Sequence, residues 1–173
     1  MEVHPIQTAE FDSRQLRSTL GAFATGVTVV TVGGDAPHGM TANSFTGVSL
    51  DPPLVSVCVQ RDAVMHAVLL EQGSFAVSVL AADQVRAARW FADRRRPLGR
   101  AQFDAVDVRP GERTGAPLLV GAVAQFECRL WRTYDGGDHS IFLGVPLTVA
   151  RGVTDDVLVF HDGAFRRLER GRR

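Results

Sequence analysis

The chain has 173 residues (18.7 kDa), 45% of them apolar and 22% charged, the balance of a soluble globular chain long enough for one domain with a sizeable core. Its 19 basic and 19 acidic residues cancel, so no net field draws it to nucleic acid or to an anionic membrane. All the basic residues are Arg, spread along the chain, and Cys58 and Cys128 sit singly inside apolar runs, as buried free thiols do. The opening MEVHPIQTAEF has no basic and apolar leader pattern. No apolar run reaches the ~20 residues that span a bilayer, so a cytoplasmic protein is expected.

Asp12 and Gln15 have capping-box spacing, and Leu16, Leu20 and Phe23 recur at helical intervals. A helix is predicted over 12–23, with Phe11 as its hydrophobic staple and Gly26 beyond its end. Val27 to Val32 is rich in β-branched residues and predicts a strand, followed by a turn over Gly33–Pro37. Strands are expected over 38–46 and 54–59, separated by Pro52 and Pro53. Asp62 is placed to cap a helix running to about residue 72, which Gly73 ends.

Phe75 to Leu80 reads as a strand, and Asp83 opens a helix over 84–91. Arg94, Arg95 and Arg96 then read first as its solvated C-terminus, where the helix dipole favours cations, and as a phosphate contact in the lesser reading. Residues 98–118 are loop-rich, with a short strand at 105–108. Two long strands, 122–134 and 139–150, flank Asp135-Gly136-Gly137-Asp138, a strong hairpin signal. A last hairpin pairs 157–160 with 164–168. About seven strands in antiparallel hairpins with three helices favour a closed or nearly closed antiparallel barrel decorated by helices over a doubly wound fold.

His38 to Arg61 carries an unusual density of small polar side chains: Thr41, Asn43, Ser44 and Thr46. Buried hydroxyls and amides need partners, so the stretch reads either as a polar edge hairpin or as a pocket wall facing a polar, planar ligand. There is no GxGxxG after a strand and no Walker A. The five histidines show no close metal-ligand spacing, and no metal is expected. Ser44 and Ser49 lack nucleophile-elbow glycines, which argues against hydrolysis. His139, at the rim of the Asp-Gly hairpin, is placed either to reach a ligand or simply to begin an exposed strand.

The segments Phe23–Thr31 (FATGVTVVT), Gly39–Thr46 (GMTANSFT), Ser49–Leu54 (SLDPPL), Phe75–Val77 with Val79 and Leu80, Gly136–His139 (GGDH) and the closing hairpin at 158–168 occur in unbroken order. Together they resemble the short flavin reductases, the reductase components of two-component monooxygenases. The resemblance covers residues 11–168 as one domain, with 1–10 and 169–173 as flexible termini. It implies a mainly β fold, an antiparallel FMN-binding split β-barrel with Greek-key-like connections and a few peripheral helices. It also implies a homodimer that takes FMN or FAD, reduces it with NADH or NADPH, and passes reduced flavin to a partner flavin-dependent monooxygenase.

By the same resemblance Thr41, Ala42, Asn43, Ser44 and Phe45 line the isoalloxazine, and Ser49, Leu50 and Asp51 hold the loop behind it. Gln60, Arg61, Asp62, Ala63 and Met65 lie by the ribityl phosphate. His139 sits on the nicotinamide side in an orienting role, and Phe165 near the outer face of the site. Backbone amides, Asn and Ser suit the polar edge of a flavin, and a helix N-terminus at 62–63 suits a phosphate, with Arg61 adding a charge-assisted contact. Two positions depart from the family pattern. Asp62-Ala63 stands where hydroxyl or basic residues are usual. A carboxylate there repels phosphate unless it turns away to cap its own helix, so the expectation is a weaker phosphate site or contacts shifted to Arg61 and the backbone. Ser78 stands where Asn is common, a smaller group expected to weaken one hydrogen bond in the core of the site. The alternatives are a barrel enzyme that keeps its flavin and acts on an organic substrate, and a non-enzymatic flavin- or haem-binding module.

Overall fold

The computed structural model describes residues 12–168; the Phe11 staple and the two expected flexible termini lie outside them. Helix α1 (Ser13–Gly21) begins where Asp12 accepts a hydrogen bond from the Arg14 N–H. None of its residues is buried, and Leu20 and Phe23 are 63% and 76% exposed. A two-residue strand β1 (Thr25–Gly26) leads into β2 (Thr28–Val32) and β3 (His38–Ala42). The expected strand over 38–46 is broken: Asn43–Phe45 leave the ladder, and a separate strand β4 (Thr46–Leu50) pairs back onto β5 (Pro53–Gln60).

Helix α2 (Val64–Gln72) ends at Gly73, whose left-handed φ of 61° suits a residue without Cβ. β6 (Ser74–Val79) and α3 (Val85–Ala92) follow. The loop-rich stretch holds a 3-10 turn (Gly99–Phe103) and a small hairpin, β7 (Val108–Pro110) with β8 (Pro117–Leu119), so the short strand lies later than expected. β9 (Ala124–Gly136) and β10 (His139–Arg151) form the long hairpin, turning at Gly137-Asp138. β11 (Leu158–His161) and β12 (Ala164–Arg167) form the last one and join β1 in a separate sheet.

The main sheet is antiparallel throughout, in the order β3-β2-β6-β9-β10-β5-β4. It curls until Val30, Ala42, Val57, Phe75, Cys128 and Phe142, from six different strands, share one core, with Met65 and Leu69 of α2 packed into it. Its end strands β3 and β4 are not bonded to each other, so the barrel is split there, and Asn43–Phe45 cross the gap. Gly144 belongs to this packing: a Cβ there would stand 2.5 Å from the Phe75 ring. A second core on the outer face joins Val27 and Val29 to Leu80, Phe91 of α3, Phe103, Leu119 and Leu158. β2 thus faces apolar partners on both sides, which explains its unbroken β-branched run. Among the described residues no helix is long and apolar enough to cross a membrane.

Candidate functional site

A cavity of about 410 Å³ opens at the split of the barrel. One wall is the start of β3, with His38 and Met40; the end of β3 (Thr41 and Ala42) and the crossing residues Asn43 and Ser44 form its floor. The opposite wall is the end of β5 and the start of α2, with Cys58, Gln60, Asp62, Ala63, Val64 and Met65. Phe91 and Ala92 of α3, the following residues Arg94, Arg96 and Leu98, and His139 complete it. A cavity of this size is in the range that encloses most of a small organic ligand.

The polar residues of the floor divide by what they bind. Thr41 Oγ1 donates to the carbonyl of Ala88 at 2.7 Å, fastening α3 to β3. Ser44 Oγ stands 3.0 Å from both the N–H and the carbonyl of Cys58, bridging the split as a strand partner would. These two hydroxyls hold the walls together. Asn43 is exposed, and its amide has no hydrogen-bond partner among the described residues, so it is the floor group open to a ligand. Cys58 faces the cavity as a neutral thiol, since burial pushes its pKa up.

The expected cap at Asp62 does not form. Ala63 occupies the N-cap position, with no side chain bonded to the first turn of α2. The helix therefore presents its leading N–H groups at the cavity wall without a capping acid. Asp62 turns instead toward Arg94, whose guanidinium lies 4.0 Å from Oδ1 and also donates to Gln60 Oε1 at 2.8 Å. The carboxylate is thus offset by a cation across the cavity mouth.

Arg96, expected in a solvated helix end, is half-buried in the same wall. It donates to the Asp93 carbonyl at 2.8 Å, to the carbonyl of Gly39 and to Gln102 Oε1 at 3.4 Å. Its Nη2 lies 3.2 Å from His38 Nε2, and its guanidinium stacks 5.8 Å from the Phe91 ring centre. Burial lowers its pKa. His38 is buried and its pKa falls to about 4, first because burial disfavours the imidazolium and second because Arg96 repels it. Gly39 lies against this cluster: a Cβ would stand 2.6 Å from the Phe91 ring. His38 begins the stretch expected as a pocket wall but was not singled out as a site residue, and the Arg triplet pointed here only through its lesser reading, a phosphate contact, since it also fits a solvated helix end.

His139 enters the rim from the β9–β10 turn, with Nδ1 2.7 Å from Asp138 Oδ1. The contact holds the Asp138 carboxyl below the usual range. Arg61, expected at a phosphate, is used elsewhere. Its Nε donates to the Gly137 carbonyl at 2.9 Å, its Nη2 pairs with Asp135 Oδ1 at 3.0 Å, and its N–H donates to the Asp138 carbonyl at 3.0 Å. Arg61 therefore clamps the turn that carries His139.

Of the expected site residues, Thr41, Ala42, Asn43, Ser44, Gln60, Asp62, Ala63, Met65 and His139 meet in the cavity. Phe45 does not line it and packs at 5.2 Å on Phe126, against the barrel core. Ser49, Leu50 and Asp51 lie at the β4–β5 turn, with Leu50 96% exposed. Phe165 stands behind α3, 5.5 Å from Phe160 and 5.9 Å from the Arg89 guanidinium. Ser78 lies outside the cavity, fully buried, and accepts a hydrogen bond from the Leu119 N–H at 3.0 Å; its role is to hold β8. Among the described residues no cluster of His, Cys, Asp and Glu suits a metal ion.

Residues 20–169 match the model of the flavin reductase like domain. An NADH-dependent FAD reductase of Streptomyces globisporus is 58% identical over 157 residues, 91% of this chain and 86% of that protein. The structure of BorF, the flavin reductase component of a bacterial two-component tryptophan halogenase, superposes with a TM-score of 0.88 at 63% identity, covering 91% of this chain and 98% of that one. The structure of the Streptomyces globisporus C-1027 NADH:FAD oxidoreductase SgcE6 in complex with NAD and FAD fragments gives a TM-score of 0.86 at 55% identity, covering 92% and 97%.

Proposed function

The chain belongs to the flavin reductase family, and from that premise we propose that it transfers a hydride from NADH to FAD and releases the reduced flavin to a separate flavin-dependent oxygenase or halogenase. The observation that carries the reading is the cavity at the barrel split. One free amide, Asn43, lies on its floor, an uncapped helix start forms one wall, and a histidine stands at its rim. These groups fit a flavin nucleotide: Asn43 and nearby backbone meet the polar ring edge, and the first N–H groups of α2 meet a phosphate. NADH as donor and FAD as acceptor are the pair used by the Streptomyces globisporus reductase described above.

The flavin supplies the electrophilic N5 and the dinucleotide the hydride at nicotinamide C4. What remains for the protein is orientation. With Nδ1 engaged by Asp138, His139 has Nε2 as its remaining polar atom, suited to orient the nicotinamide carboxamide. Arg61 holds that histidine's turn, and Ser44 and Thr41 keep the two walls at a fixed spacing. No protein acid or base is needed for the hydride step.

A second copy of the chain belongs to this reading. The apolar face of α1 (Leu16 and Leu20), with Phe23 just past its end, Leu50 and Trp131, is exposed in one chain and supports a homodimer that covers it. Ser49, Leu50 and Asp51 would then lie in or near the interface. The need for NADH supports a cytoplasmic location. The direct test is steady-state NADH oxidation with added flavin and no third substrate. The rate should saturate with FAD. Tightly retained flavin with no turnover until an organic substrate is added would favour the direct-acting alternative instead.

A further inference from the structure

Arg96 is a half-buried guanidinium whose named hydrogen-bond partners are all uncharged. They are the carbonyls of Asp93 and Gly39, the Gln102 amide and the neutral His38 ring. The carboxylate of Asp93 is hydrogen-bonded by Arg95, with Nε 3.1 Å from Oδ1 and Nη2 3.1 Å from Oδ2, and acts on Arg96 through space without a hydrogen bond to it. A partly buried cation with no directly bonded anion gains from one that completes it. Arg94, two residues earlier on the same cavity rim, donates to the neutral Gln60 amide at 2.8 Å and meets only one anion, loosely: Asp62 at 4.0 Å, with both side chains more than half exposed. The rim thus holds two guanidiniums and one carboxylate, beside the uncapped start of α2.

We propose that Arg94 and Arg96 form a subsite for the diphosphate of a dinucleotide, FAD or NADH, and that Asp62 competes with that ligand for Arg94. The planar guanidinium of Arg94 matches phosphate oxygens, and the two charges of a diphosphate answer it together with Arg96, which has no directly bonded anion. Binding must break the Asp62–Arg94 contact, and release restores it. That exchange lowers affinity for the dinucleotide without altering the ring site, which suits a flavin that has to leave after each turnover. The inference rests on the flavin reading above.

The test is fluorescence titration of the full chain with riboflavin, which has no phosphate, and with FAD, alongside NADH KM measured with riboflavin as acceptor. If the diphosphate is the flavin's, Arg94→Gln weakens FAD about tenfold and riboflavin less than about twofold, and Asp62→Asn tightens FAD about threefold. If it belongs to the nicotinamide dinucleotide, FAD affinity is unchanged and NADH KM rises about tenfold in Arg94→Gln. Both outcomes support the subsite and identify its source. Equal losses for riboflavin and FAD, or no change in either FAD affinity or NADH KM, overturn it. Arg96→Gln should follow Arg94→Gln; should it fail to fold, the exposed Arg94 and Asp62 still decide the matter. Failure of the unmodified protein to bind riboflavin would instead sink the flavin reading itself.

Discussion

Substituting His38 by Gln tests whether this cavity wall is built around a neutral imidazole. His38 Nε2 faces the Arg96 guanidinium at 3.2 Å, so protonating it would set two cations against each other in a buried place. Its pKa falls from 6.5 to about 4 for that reason and, more strongly, because of burial. The sign follows from linkage. As pH falls below 6.5 the unfolded chain takes up a proton that the folded chain refuses, so stability declines by about 1.4 kcal/mol per pH unit until pH 4 is reached. Over the full window the loss is about 3 kcal/mol. Gln keeps an acceptor for Arg96 but does not titrate. Urea unfolding between pH 7.5 and 4.5 should show His38→Gln less stable at the upper end, by about 1 kcal/mol of lost packing. By pH 4.5 the gap should close or reverse. Parallel loss of stability in both proteins across this range would refute the argument, since the remaining titrating groups are shared.

Glu127 is buried and accepts hydrogen bonds from the N–H groups of Glu112, Arg113 and Thr114 and from the hydroxyls of Thr114 and Thr148. Burial raises its pKa, but those bonds together outweigh it and leave the carboxyl below its usual range. Glu127→Ala should cost about 3–5 kcal/mol in chemical unfolding at neutral pH. The gap to Glu127→Gln should narrow as pH falls below the ordinary carboxylate range, where the depressed folded pKa is approached. Arg61→Gln should change stability by less than about 1 kcal/mol, because Arg61 and Asp135 are 46% and 82% exposed, yet raise NADH KM about threefold with flavin KM unchanged. In a His139→Ala background it should add nothing; additive effects would show that Arg61 acts by another route. Leu20→Glu with Phe23→Glu should convert a dimer to monomers in sedimentation velocity, and an unaltered sedimentation coefficient would place the interface elsewhere.

Much of the fold was legible because its strands carry local signals. The β-branched run at 28–32, the Asp-Gly turn between two long alternating runs and the Gly73 stop all act within a few residues of themselves. β4 was not legible: Thr46–Leu50 is an exposed sheet edge, so burial imposes no alternation on it. Asp62 misled for a related reason. A local cap was open to it, but a partner 32 positions away, Arg94, lies across the cavity mouth. Arg96 and His38 are 58 positions apart and meet only because α3 packs on β3, so neither carries a nearby sign of the other. The floor residues Thr41, Asn43 and Ser44 were found by their polarity. That pattern could not separate the amide open to a ligand from the two hydroxyls that hold the walls.

The central claim is that the protein makes reduced flavin for another enzyme rather than using it in place. It is tested most directly by anaerobic ultrafiltration after mixing a small amount of protein with excess NADH and FAD. The account predicts reduced FAD in the filtrate in large molar excess over protein, matched one to one by NADH oxidised. Reduced flavin confined to the protein-bound fraction, at no more than one equivalent per chain, would contradict it.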